Sequence, residues 1–252
     1  MRRRDAYYLR LVATGCSFIV FGAVGLLLGL IVLPLLRLLP GDPAAQRERV
    51  RRTLGATLRW FANLARALGV LTYDIRGLER LGRPGQLVLA NHPTLLDAVF
   101  LLGFAPSSSC VVKQALWSNP FTRWPVAAAG YVSNAPTDVM IQQAADALRA
   151  GQSVIIFPEG TRTVPGQPLH FHRGAAAIAI RAARVVTPVY IRCVPPALRK
   201  HDPWYRIPDR RMHFTLEAGE DIDPQPLRAL APPLASRELN ARLLQVFTAR
   251  LT

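Results

Sequence analysis

Lysine is almost missing from this 252-residue chain: of its 31 lysines and arginines, only Lys113 and Lys200 are lysine. So heavy a use of arginine fits a codon bias as well as a function, and basicity alone therefore selects no partner. Cysteine is scarce too. Cys16, Cys110 and Cys193 are odd in number, scattered and without CxxC spacing, which argues against a disulfide framework or a thiolate metal centre. Reduced thiols facing a cytosol are expected. Acidic residues number 16, leaving a net charge of +15 and a pI near 11.1. That balance draws a protein to anionic surfaces, either phospholipid headgroups or nucleic acid. There is no GxSxG elbow, no GxxxxGK(S/T) loop and no GxGxxG, so hydrolase, NTPase and dinucleotide chemistry lack their anchors. No internal repeat occurs, and the only tract that reads as disordered is the Pro-rich connection at 223–233.

Apolar length is what the chain has in quantity. With 50% hydrophobic residues it can bury one sizeable α/β body plus an appendage. From Leu11 to Leu36 no charged side chain occurs, and about 20 apolar residues already cross a bilayer core. This segment is expected in lipid. A cleaved signal peptide is the competing reading, but its apolar region would be only about 7–15 residues. Both flanks are basic, with Arg2, Arg3, Arg4 and Arg10 before the segment and Arg37, Arg47, Arg49, Arg51 and Arg52 after it, so the positive-inside rule leaves the orientation open. Such symmetry also fits a segment that enters one leaflet and bends back, with Gly22, Gly25, Gly29 and Pro34 as weak points. Gly25 and Gly29 form a GxxxG, which marks either a helix-dimer face or a chance match. Beyond the "LPGDP" break at 39–43, arginines alternate with Leu, Val, Trp60 and Phe61 at helical spacing. The pattern is that of a basic amphipathic helix along the headgroups, or of an ordinary solvated surface helix.

From residue 70 the texture changes. Short β-rich runs at 71–77, 86–90, 109–113, 153–157, 185–192 and 212–218 alternate with helical patterns near 95–104, 137–151, 173–185 and 236–251. The prediction is an α/β fold: a mostly parallel sheet flanked by helices, preceded by an N-terminal membrane-embedded helix and an amphipathic helix. Residues 1–69 form the anchoring segment and 70–252 the α/β domain. Ligands of such sheets bind at the carboxyl ends of strands.

One such end carries "NHPTLLD" at 91–97, with His92 and Asp97 five positions apart. On a continuous helix, positions five apart point about 140° away from each other. His92 must then stand outside the helix, and Pro93 agrees, since the residue before proline avoids the α region while proline suits a first turn. From that position Asp97 can reach back and fix the imidazole tautomer, as an orienting acid does in a hydrolase triad. A His–Asp pair without a nearby nucleophile suits proton abstraction from an incoming hydroxyl, worth about 10²- to 10⁴-fold. A surface histidine beside a capping carboxylate is the plain alternative.

"FPEGTR" at 157–162 follows the strand "SVIIF" and so lies at the same kind of strand end. Gly160 allows close backbone approach, Thr161 offers a hydroxyl, Arg162 can fork onto a phosphate or carboxylate, and Glu159 either holds an acceptor hydroxyl or orients Arg162. A turn with a surface Glu–Arg pair is the alternative. Together, NHxxxxD and FPEGTR resemble the glycerolipid acyltransferase family typified by 1-acylglycerol-3-phosphate acyltransferase, over about residues 70–195. Lys113, Pro120, "FHRGA" at 171–175 and "VVTPVYI" at 185–191 are similar to further blocks of that family. The resemblance implies an O-acyltransferase with His92 as base and Asp97 orienting it. It implies that Glu159, Gly160, Thr161 and Arg162 hold the acceptor, with Arg162 and Lys113 countering phosphate or carrier charge. It further implies acyl-CoA or acyl carrier protein as co-substrate, a lysolipid acceptor, no metal or resident cofactor, and a place on the cytoplasmic (inner) membrane with the domain facing the cytoplasm. Donors for the developing oxyanion are expected from backbone N–H groups at the start of the helix after His92.

One departure stands out. Where the family's second block ends in arginine, "GYVSN" puts Asn134, which hydrogen-bonds without neutralising a phosphate. Acceptors without glycerophosphate, such as ornithine lipids or the lipid ends of polyene pigments, are therefore alternatives within the same chemistry. A membrane-tethered basic binding protein is the alternative from a different class. "HFH" at 170–172 can offer two imidazoles to zinc but has no third ligand at suitable spacing. The basic-aromatic stretch 199–211 suits nucleic acid, a lipid interface or an acidic carrier protein. Beside the N-terminal segment, membrane phospholipids are the expected partner and nucleic acid is not.

Overall fold

A computed structural model describes residues 6–105, 107–164 and 166–251. Arg2, Arg3 and Arg4, part of the basic flank, lie outside the described residues. The apolar segment folds as α1 (Tyr7–Leu27), a π-helical turn over Leu28–Val32 and α2 (Leu33–Arg37). The wide turn ends two residues before Pro34, whose ring would clash with the carbonyl one turn back and which donates no N–H. The weak point is thus a local widening, and the helix continues past it.

Next comes α3 (Pro43–Ala67), capped by Asp42, whose carboxylate accepts the Ala45 N–H at 2.8 Å. Its apolar stripe faces protein. Ala62 and Ala65 join the core with Leu71, Phe100 and Leu101, and a Cβ at Gly103 would stand 2.9 Å from the Arg59 nitrogen, so α3 and its neighbour touch backbone to backbone. The amphipathic pattern therefore marks a helix docked on the body, and the core runs across the boundary expected at residue 69. Gly25 and Gly29 have a similar correction. Cβ atoms there would lie 3.1 Å from the Phe121 carbonyl and 3.3 Å from Trp124, so this glycine face is covered by another part of the same chain.

The body is a seven-stranded sheet built from β1 (Leu71–Arg76), β2 (Gln86–Ala90), β3 (Ser109–Val112), β4 (Val132–Ser133), β5 (Val154–Ile156), β6 (Val185–Val194) and β7 (Met212–Ala218). Its order is β1-β7-β6-β2-β5-β3-β4, and every pairing is parallel except β6 with β7. Every residue of β2 is buried, as a strand covered on both faces requires. Val88 and Ala90 turn to the side of α3 and α4 (Asp97–Phe104), while Leu87 and Leu89 turn to α6 (Thr137–Arg149), α7 (Arg173–Ala182) and α8 (Pro232–Leu251). The short α5 (Arg123–Ala129) packs beside α3.

The Pro-rich connection is ordered. It forms a 3₁₀ turn over Gln225–Ala229, from which Arg228 donates to the carbonyls of Ile180 and Ala183 at the end of α7. Because β2, β3, β4 and β5 are mutually parallel, their carboxyl ends share one edge. His92, Lys113, Asn134 and Glu159 all follow those ends.

Candidate active site

Asn91, the first residue after β2, fixes where the chain leaves the sheet. Its amide donates to the Ile191 carbonyl and accepts the Ile191 N–H, both at 2.8 Å, so a side chain continues the ladder to β6 while the backbone turns away. His92 then projects over the edge. Its Nδ1 lies 2.7 Å from Asp97 Oδ2, and its ring stacks on Phe157 at a 4.2 Å centroid separation. Nδ1 faces a carboxylate, so it carries the proton, leaving Nε2 as the acceptor of a ring that is 20% exposed.

Asp97 is the first residue of α4 and is fully buried. Besides His92, it accepts the Thr94 N–H at 2.7 Å on Oδ2 and the Thr94 hydroxyl at 2.6 Å on Oδ1. Burial pushes this carboxyl above the usual range, while His92 and the Thr94 donors pull against the shift. Every partner can donate and none competes for the acceptor role, so the carboxylate holds the ring in one orientation.

The FPEGTR turn closes on the same residue from the other side. Glu159, buried, accepts the His92 N–H at 2.9 Å and the Thr163 hydroxyl at 2.8 Å on one oxygen, and the Thr163 N–H donates to the His92 carbonyl at 2.7 Å. Both main-chain polar groups of His92 are thus held by the second motif. Desolvation raises the Glu159 carboxyl, and those two hydrogen bonds oppose the rise.

Glu159 makes no ion pair with Arg162, contrary to one of the expected roles. Arg162 Nη1 instead donates to the carbonyls of Leu198 (3.1 Å) and Arg199 (2.8 Å), which anchor it to the loop after β6. Gly160 sits at φ 65°, and a Cβ there would meet the His172 ring at 3.1 Å, so turn and neighbour both require glycine. Thr161 is half-buried beside it. His170 and His172 meet edge to face with ring centroids 5.2 Å apart.

Lys113 and Asn134 are further along the same edge. Lys113 is exposed, with no carboxylate partner among the described residues. The Asn134 carbonyl oxygen accepts the Gln114 N–H at 3.1 Å, which makes the asparagine a brace for the turn after Lys113. The expected oxyanion donors are largely taken. The N–H groups of Thr94, Leu95 and Leu96 go to Asp97, the Leu198 carbonyl and the Thr94 hydroxyl, because the turn before α4 consumes them. Sequence reasoning passed over Asn91, Thr94 and Thr163. The first two lie within NHPTLLD and the third directly follows FPEGTR, but their partners are distant or local contacts that only folding reveals.

A family model described as Acyltransferase matches residues 72–192, a span that takes in both turns. Over that span, just under half of its length, the chain is similar to the acyltransferase family. A 1-acyl-sn-glycerol-3-phosphate acyltransferase of Pseudomonas aeruginosa is 32% identical over 149 residues, covering 57% of this chain and 58% of that protein. A lyso-ornithine lipid O-acyltransferase of the same organism is 32% identical over 179 residues, covering 68% of this chain and 65% of its own. In each case the chain spans less than two thirds of the relative's length. The crystal structure of a 1-acyl-sn-glycerophosphate acyltransferase from Thermotoga maritima superposes with a TM-score of 0.74 at 22% identity, covering 99% of this chain and 97% of that one. At that identity the likeness concerns the fold. The shared fold therefore includes α1 to α3 as well as the sheet.

Proposed function

We propose that this protein is a membrane-bound O-acyltransferase that moves a fatty acyl group from acyl-CoA or acyl carrier protein to the free hydroxyl of a lysophospholipid such as 1-acylglycerol-3-phosphate. The observation that carries the reading is the arrangement at His92: Asp97 on one ring nitrogen, the ring itself still 20% exposed, and Glu159 and Thr163 gripping its main chain. In the proposed step Nε2 takes the hydroxyl proton as the oxygen attacks the thioester carbonyl. The C–S bond then breaks, and the thiolate leaves with the proton returned by the imidazolium. Arg162 and Lys113 supply positive charge for the acceptor phosphate or the donor, while Gly160 and Thr161 shape the turn against which the acceptor lies. No group beyond the two substrates and these side chains enters the step.

A second acceptor class has support of its own. Asn134 spends its carbonyl oxygen on Gln114 and adds no charge beside Lys113, and the match to the lyso-ornithine lipid enzyme covers more of this chain than the match to the 1-acyl-sn-glycerol-3-phosphate one of the same organism. A lyso-ornithine lipid or a polyene pigment lipid would use the same His92 chemistry.

The membrane reading rests on α1. The 31-residue helix Tyr7–Arg37 has a mean hydropathy of 2.8 over its best window and only 11% of that window buried. Yet it is tied to the body along its length: Arg10 donates to the carbonyls of Pro208 and Asp209, Phe21 meets Phe61 edge to face, and Gly25 and Gly29 meet Phe121 and Trp124. A helix held this way lies in one leaflet of the inner membrane rather than across it, with the body on the cytoplasmic side. The test is to incubate the detergent-solubilised protein with mixed lysolipids and either acyl-CoA or acyl carrier protein and to identify products by mass. Acylated lysolipid with one of the two donors is expected, and no acylated product with either donor refutes the reading.

A further inference from the structure

We propose that two loops of the α/β body, residues 114–124 and 203–206, enter an anionic phospholipid leaflet beside α1, making the rim of the active site part of the membrane contact. This rests on the reading of α1 as a helix lying in one leaflet. Gly15, Gly22 and Gly25 on α1 and Gly29 in the π-helical turn that continues it share one stripe, and that stripe is where the loops meet the helix. A Cβ at Gly15 would touch Trp204 at 3.3 Å, and one at Gly29 would touch Trp124 at the same distance. The aromatic rings therefore flank the helix on its body side, about 20 Å apart along its axis.

These rings are not buried by the contact. Phe121 and Trp124 remain 44% and 43% exposed, and Trp204 and Tyr205 remain 46% and 58% exposed. Large half-exposed aromatics beside a helix whose outer face is also apolar form one continuous surface. Tryptophan and tyrosine favour the headgroup level, where an apolar body and a polar tip are both satisfied. The charges agree in sign: Arg123 lies over the Trp124 ring at 4.7 Å, Arg37 lines the groove between Gly29 and Trp124, and Arg206 is exposed next to Tyr205. The loops also belong to the site. One begins immediately after Lys113, and the other follows the Leu198–Arg199 carbonyls that anchor Arg162. An acceptor lipid would then reach His92 laterally from the leaflet, passing between the two loops.

The test uses full-length protein on vesicles of phosphatidylcholine and phosphatidylglycerol whose acyl chains are brominated near the headgroup. Tryptophan fluorescence is read in a variant that keeps Trp124 alone, in one that keeps Trp204 alone, and in a reference with all four tryptophans replaced by phenylalanine plus Ile19→Trp on the outer face of α1. Quenching of Trp124 and Trp204 alongside the reference supports the proposal. Quenching of the reference alone overturns it and leaves the loops to water or a protein partner, while quenching of none overturns the membrane reading as well. Phe121→Asp and Tyr205→Asp, each in otherwise native protein, give a second measure. Each is expected to weaken vesicle partitioning about tenfold, and unchanged partitioning in both also overturns the proposal.

Discussion

Replacing Thr163 with valine removes one hydroxyl and almost no volume, and so isolates the grip of the FPEGTR turn on His92. The lost bond runs from Thr163 Oγ1 to Glu159 Oε1 at 2.8 Å. A hydrogen bond to a charged group contributes about 1.5–3 kcal/mol, so if the whole loss fell on the transition state, kcat would drop about 10- to 150-fold. The remaining holds, His92 N–H on Glu159 and Thr163 N–H on the His92 carbonyl, keep the effect near the lower end. A pH signature accompanies it. Burial already raises the Glu159 carboxyl, and the Thr163 hydroxyl is one of the donors opposing that rise. Without it the carboxyl stays protonated to higher pH and is then a weaker acceptor for the His92 N–H. The acidic limb of kcat should therefore move to higher pH in Thr163→Val and return in Thr163→Ser. Steady-state kinetics across pH on mixed micelles measures both. An unshifted limb with native kcat would refute the clamp, and a serine variant as impaired as valine would assign the role to the threonine methyl.

Three further outcomes follow from the same geometry. Asp97→Asn should lower kcat by about 10³- to 10⁴-fold with KM little changed, because a neutral amide no longer enforces one imidazole tautomer; initial rates at saturating acceptor decide it. Asn91→Ala strands the buried Ile191 N–H and carbonyl that the amide now serves at 2.8 Å, and thermal unfolding should report a loss of about 2–4 kcal/mol. Glu159→Gln should flatten the dependence of stability on pH. The folded carboxyl is raised above its ordinary 4.5, so its contribution is full below that value and is lost as pH rises through the folded one, a slope that denaturant titrations should find missing in the glutamine variant.

The sheet was legible because its strands are apolar runs of ordinary length bounded by turns. β2 and β7 occupy the expected residues, and β6 overruns its expected end by two. β4 was hidden, since Val132–Ser133 is too short to show a period, and α5 was hidden by Pro125 in its first turn. Proline misled again at 223–233, where two prolines begin α8 at Pro232 and Arg228 supplies the caps that make the connection ordered. At the site, the His92–Asp97 contact could be read from a proline and a helical turn, both local. The partners of Glu159, Arg162 and Asn134 could not. Apart from the Thr163 hydroxyl on Glu159, each is a backbone group brought in by a different strand end, and a sequence marks a side chain's capacity to bond without marking which main-chain atom will arrive.

The most direct test of the proposed chemistry is acyl transfer by His92→Ala, with vesicle binding measured on the same preparation. The account predicts turnover reduced at least about 10³-fold with binding unchanged. Native turnover in that variant would remove the imidazole from the reaction and leave the arrangement around it without a chemical purpose.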